Sequence, residues 1–222
     1  MDFTIQEYKN RLHKVQQSMQ KKGIELLISQ DTANIYYLTG YDAWSFYYSQ
    51  CVIIHVNAEE PICYVRAQDA GGALIKTYLK KENIVIYPEK YIHTWPNHPY
   101  DGLVELIKTK KWDKLNIGLE MDSHYFTAFC YEKLRQGLPN ANLKDSERLV
   151  NWVRCIKSET EITYMKNAAV ISEKAMKTAM EVINPGVRQC DAVAEIQSAL
   201  FKGTKEYGGE YASITTLLPT GK

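Results

Sequence analysis

No stretch of this 222-residue chain is apolar for long enough to cross a bilayer as a helix. The first twenty residues are polar and helical in pattern, so they carry no apolar secretory core. Neither sign of charge is in surplus. The 27 basic and 26 acidic residues leave a net charge of +1, which gives no electrostatic case for a nucleic-acid or membrane partner. The five cysteines, at positions 51, 63, 130, 155 and 190, form no C-x-x-C pair. Their spacing speaks against a zinc knuckle and a disulfide framework, and for a reducing, cytoplasmic setting in which they serve as small buried hydrophobes. G-x-G-x-x-G, a phosphate loop and G-x-S-x-G are all absent, which removes the common signatures of dinucleotide binding, NTP binding and serine hydrolysis. The five histidines (His13, His55, His93, His98 and His124) have no partnering Cys or carboxylate at ligand spacing, so each reads as structural or solvated.

Aromatic residues, by contrast, are concentrated. Tyr36, Tyr37, Tyr41, Trp44, Phe46, Tyr47 and Tyr48 place seven rings within thirteen residues. Gly40, Asp42 and Ser45 interrupt the run with turn chemistry, so it cannot be one buried strand. Packing is the ordinary role of such rings. The alternative is a ring platform on a turn, suited to a small delocalised cation.

Around this run the pattern alternates between helix and strand. Ile5, Tyr8, Leu12, Val15 and Met19 form one helical stripe, closed by Gly23. Strands are expected over 24–29, 51–56, 62–66, 84–87 and 115–121, with a short last one near Leu143. A short helix capped by Asp31, and helices over 68–79, 101–110 and 123–136, lie between them, with Ser123 as the cap of the last. Residues 91–100, with two prolines and two histidines, read as a loop. Glu120-Met-Asp122 sits at a strand end before a helix, where a cap from Asp122 or Ser123 is preferred to acid–base work. This order predicts an α/β domain over residues 1–150, a mixed sheet covered by helices.

Past Asp145 the character changes. Residues 146–156 read as helical, and Ser158-Glu-Thr-Glu161 is a capping box that opens a long helix. Asn184-Pro-Gly186 stops that helix, a second spans 191–201, and a strand is expected over 214–218. Two helices and a strand cannot close a core, so residues 151–222 are expected to be the start of an unfinished second domain.

Several segments together resemble the creatinase/aminopeptidase P/prolidase family. They are Asn34-Ile-Tyr-Tyr-Leu-Thr-Gly40-Tyr, Arg154-Cys-Ile-Lys-Ser-Glu-Thr-Glu-Ile162 with Met165-Lys-Asn-Ala168, and Pro185-Gly-Val187 followed by Asp191. The resemblance covers essentially the whole chain. It implies a creatinase-like amino-terminal domain followed by the first helices and strand of an α+β "pita-bread" domain. Within the family, Gly40-Tyr-Asp-Ala-Trp-Ser-Phe-Tyr47, Arg66-Ala-Gln-Asp-Ala-Gly71 and Gly208-Gly-Glu-Tyr211 are most similar to the ectoine hydrolase branch.

The resemblance also implies an activity. The whole protein would hydrolyse a C–N bond of a small cyclic amidine or guanidino-type substrate, as a homodimer, with no cofactor and no metal. By the same resemblance, substrate-binding residues in this chain would be Phe46, Trp44 and Tyr48, with Tyr211 a weaker candidate. Phe46 falls on creatinase's substrate-stacking phenylalanine. Tyr48 falls where creatinase has a substrate-contacting arginine, which argues against creatine itself. The residues that perform the chemistry would lie after Lys222, so no catalytic residue is assigned here and the chain alone is expected to be inactive. Two alternatives remain open. One is a dimetal Xaa-Pro dipeptidase or aminopeptidase. The other is a non-enzymatic module for dimerisation or binding.

Overall fold

The computed structural model describes residues 2–42, 47–208, 212 and 214–219. These divide into two compact units, residues 1–156 and 157–222.

In the first unit, helix α1 (Ile5–Lys21) starts at Thr4, whose hydroxyl accepts from the Glu7 amide; it buries Tyr8, Leu12, Val15 and Met19 of the expected stripe and leaves Ile5 exposed. Strand β1 (Leu26–Ser29) leads to α2 (Thr32–Thr39), capped by the Asp31 carboxylate. Gly40 closes α2 in the left-handed conformation, φ 82°. A side chain there would also meet the Tyr8 hydroxyl, 2.7 Å from the added carbon. Strands β2 (Cys51–His55) and β3 (Ile62–Arg66), helix α3 (Ala70–Lys76), β4 (Ile84–Tyr87), α4 (Pro99–Thr109), β5 (Asn116–Leu119), α5 (Ala128–Gly137), β6 (Asn142–Asp145) and α6 (Leu149–Arg154) follow.

The strands form one sheet in the order β4-β3-β2-β1-β5-β6. Among these six, β2 alone runs against its neighbours; the β3–β4, β1–β5 and β5–β6 pairs are parallel. Both faces are covered, which is why the central strands are apolar throughout rather than alternating. Leu27, Val52, Ile54, Cys63 and Val65 point to one face and pack with residues of α1, α2, α3 and α6. Leu26, Ile28, Cys51, Ile53, Ile62 and Tyr64 point to the other and pack with residues of α4 and α5.

Two expectations, the start of α5 and the last strand, need correction. Helix α5 begins at Ala128, with Thr127 as its cap, not at Ser123. The Ser123 hydroxyl instead accepts from the Tyr125 amide at 3.3 Å, closing a turn. Helix α6 belongs wholly to the first unit, because Leu149 and Val150 are buried in its core and Val153 packs on it. The division falls between Ile156 and Lys157, within the expected boundary region of residues 150–160. Residues 214–218 are described and form no strand. A strand needs a neighbour to pair with its amides and carbonyls, and no described residue offers one.

In the second unit, α7 (Glu159–Val182) opens with the expected capping box, Ser158 with Glu161. Helix α8 (Gln189–Lys202) packs on it through Ala175, Ile196 and Ala199. Met165, Met176 and Met180 on α7 stay 57%, 63% and 78% exposed.

Candidate functional site

Trp44, Phe46 and Tyr211 lie outside the described residues. Tyr48 is described, and its surroundings can be built residue by residue. It stands just before β2, half-buried. The Tyr47 ring tilts against it at 4.8 Å between centroids, and His93 meets it edge-on at 5.6 Å. From the end of β3, the Arg66 guanidinium lies over the Tyr48 ring, 4.0 Å from its centroid. Glu89 holds that guanidinium through Nε at 3.1 Å and Nη2 at 3.0 Å. Their hydrogen bonding drives the Arg66 pKa up and the Glu89 pKa down, so both stay charged.

Tyr48 forms part of the wall of a cavity of about 400 Å³. Its other ring-bearing walls are Tyr47, Tyr91, His93, Trp95, His98 and Phe129. Trp95 stacks on Phe129 at 5.4 Å and 20°, and His98 meets Phe129 edge-on at 5.1 Å. Among the described residues the polar lining is Ser49, Thr94, Asn97 and the imidazoles, with no carboxylate. His98 is also the N-cap of α4: its ring accepts from the Tyr100 amide, while Asp101 accepts from the His98 amide. Burial pushes its pKa below 6.5, so it is a neutral acceptor at pH 7. Lys133 ties this wall together, reaching Asp101 at 2.8 Å and the Pro96 carbonyl at 3.0 Å.

In sequence, residues 91–100 read only as a loop, and His93 and His98 as structural or solvated. His98 does have a structural role, and both rings also line the cavity. Residues 91–99 and Phe129 escape a sequence reading because the walls of the cavity come from three places in the chain. The one available signal is the density of rings, Tyr91, His93, Trp95 and His98, around two prolines.

The carboxylate at position 120 is a second polar centre. Glu120 is 4% exposed and follows β5. It accepts from Ser29 Oγ at 2.7 Å, the Gln30 and Asp31 amides at 2.8 and 3.0 Å, and Asn34 Nδ2 at 2.6 Å. Asn34 also bonds Asn151 at 3.0 Å and Arg154 Nη1 at 2.6 Å. Glu120 stitches the end of β1 and the start of α2 to β5. Asp122 pairs with Arg148. Among the described residues no group of three His, Cys, Asp or Glu side chains is placed to hold a metal ion, and no helix is long and apolar enough to cross a membrane.

Comparison with known proteins places this geometry. The profile of creatinase/prolidase N-terminal domains matches residues 11–156. An uncharacterized hydrolase/peptidase from Sinorhizobium fredii is 43% identical over 94% of this chain and 53% of its own length. Ectoine hydrolase from Halomonas elongata is 40% identical over 100% of this chain and 57% of its own length. The chain therefore spans about half the length of the curated relatives it matches. Among solved structures, a recombinant prolidase from Thermococcus sibiricus superposes with TM-score 0.73 at 20% identity, covering 94% of this chain and 52% of that one. That likeness carries the fold alone. With the family profile covering the sheet, its helices and the walls of the cavity, the chain belongs to the creatinase/prolidase family of hydrolases and peptidases and carries its amino-terminal domain.

Proposed function

We propose that the whole protein hydrolyses a C–N bond of a small cyclic amidine of the ectoine type, and that this chain supplies part of the substrate-binding wall. The observation that carries the reading is the ring-lined cavity at Tyr48. A flat amidinium suits aromatic faces, through the ring quadrupole, at about 1–2 kcal/mol per desolvated contact. The 40% identity to ectoine hydrolase, spread over the whole chain, supports that choice of substrate type. Phe46 and Trp44, neighbours of Tyr47 and Tyr48 in sequence, are assigned to substrate binding on the resemblance. Tyr211 is assigned to the site on the resemblance alone.

In this reaction water adds to the amidine carbon and one ring C–N bond breaks, leaving an amide and an amine. The wall at Tyr48 binds and orients; it holds no paired acid and base for the bond-breaking step. That step belongs to the rest of the protein, which works as a homodimer with the aromatic loop of one subunit facing the substrate of the other. The test is turnover by the whole protein, with ectoine and with an Xaa-Pro dipeptide, before and after treatment with a chelator. Ectoine hydrolysis that survives chelation is the expected result. Chelator-sensitive cleavage of the dipeptide alone would overturn the reading.

A further inference from the structure

Tyr48 stands where the creatinase resemblance puts an arginine, yet the folded chain brings an arginine back. Arg66 comes from β3, eighteen residues further on, and its guanidinium sits 4.0 Å from the centre of the Tyr48 ring. Its side chain is only 12% exposed. Two of its nitrogens, Nε and Nη2, are committed to Glu89. Glu89 also accepts from the Gln68 amide at 3.4 Å, which ties the acid to the turn after β3. The guanidinium is thus fixed from behind before it meets the ring. A planar, forked cation can satisfy a carboxylate in its own plane while one face rests on an aromatic ring; a lysine ammonium cannot do both in the same way.

We propose that Arg66 is a positioning residue: clamped by Glu89, it holds the Tyr48 ring as a wall of the cavity and sets how that ring meets the ligand. The ring face under Arg66 already has its cation. Tyr48 therefore offers the ligand its hydroxyl and ring edge, which suits the polar, carboxylate-bearing end of a zwitterionic amidine rather than its amidinium. The amidinium is left to the rings without a guanidinium over them. This deepens the ectoine-type reading and rests on it for the ligand, though not for the ring.

Two measurements separate those dependencies. The first needs no ligand: ring resonances of Tyr48 in selectively labelled protein, for wild type, Arg66→Ala, Arg66→Lys and Glu89→Gln, with Lys108→Ala on the exposed face of α4 as a control. Wild type and the control should share one ring environment. Arg66→Ala and Glu89→Gln should shift and average the Tyr48 signals, and Arg66→Lys should fail to restore them, all with unchanged melting temperature. Unchanged Tyr48 signals in Arg66→Ala would overturn the proposal. The second is ectoine affinity by calorimetry. Arg66→Ala should bind at least fivefold more weakly, and adding Tyr48→Ala to it should cost little more. A disordered ring with unaltered ectoine affinity would overturn the role of Arg66 in recognition. Absence of ectoine binding in wild type, with the ring still ordered by Arg66, would overturn the ectoine reading and support the positioning role alone.

Discussion

Asn34 Nδ2 donates to Glu120 Oε1 at 2.6 Å, joining residues 86 positions apart. Through the same side chain, Asn34 also meets Asn151 and Arg154 from α6. One asparagine therefore links β5, the start of α2 and the last helix of the unit.

Glu120→Gln should destabilise the first unit. Each Glu120 oxygen accepts two bonds, and an amide nitrogen would face donors at one of the two positions. Leaving two buried donors unmet costs about 2–5 kcal/mol. The loss should depend on pH. Burial, the dominant cause, raises the folded pKa of Glu120 above the ordinary 4.5, against the opposing hydrogen bonds. The folded state then holds its proton more tightly than the unfolded state. Stability from this group is full below 4.5 and declines as pH rises toward the folded value. Denaturant titrations from pH 4 to 8 should show wild type's advantage over the glutamine variant shrinking with rising pH. An advantage that grows with pH would contradict this.

Where the chain is cut should matter more than its length suggests. A fragment of residues 1–156 keeps α6, whereas one of residues 1–150 loses the Asn151 and Arg154 bonds to Asn34 and the packing of Val153. Two hydrogen bonds and a partly buried valine amount to about 2–4 kcal/mol. The longer fragment should unfold cooperatively at the higher temperature. Equal melting temperatures for the two would show that α6 adds nothing.

His98 makes the cavity wall sensitive to acid. Burial, the largest cause, lowers its pKa, and Lys133 adds to the effect while Asp101 opposes it. A depressed folded pKa means stability that is present above 6.5 and lost as pH falls from there through the folded value. Protonation would also turn the cap acceptor of α4 into a donor facing the Tyr100 amide. His98→Asn keeps a capping oxygen and has no proton to gain. Thermal unfolding at pH 5 and pH 8 should show a larger fall for wild type than for the asparagine variant; equal falls would place the acid sensitivity elsewhere.

For Phe46 the resemblance gives a direct forecast. Phe46→Ala in the whole protein should weaken substrate binding by about 1–2 kcal/mol, as for a lost desolvated cation–π contact. Its melting temperature should hardly move. A packing role predicts instead a stability loss of about 3–5 kcal/mol, so both quantities measured on one variant decide between them.

Local chemistry makes much of this fold legible in the sequence. The 3-4-3-4 spacing of α1, its stop at Gly23, the Asp31 cap and the Ser158–Glu161 capping box depend on neighbours within four residues, and each is where the pattern places it. Apolar runs over β1, β2 and β3 are legible for the same reason, since burial on both faces leaves a continuous signature. Where a tertiary contact competes with a local signal, the local signal misleads. Ser123 looks like a cap, but Thr127 caps α5; Glu120 sits beside those cap candidates, but its carboxylate is drawn inward by four donors from the end of β1, the turn after it and α2. The aromatic run shows one wall of the cavity. The others, residues 91–99 and Phe129, meet it only because β4, α4 and α5 bring them there. Arg66 over Tyr48 is of the same kind: two residues eighteen apart, joined by the β2–β3 pairing and a clamp from Glu89. Caps and periodicity act over a few residues and are written in order along the chain. The cavity and its arginine depend on which strands lie side by side, and that is decided by the folded sheet.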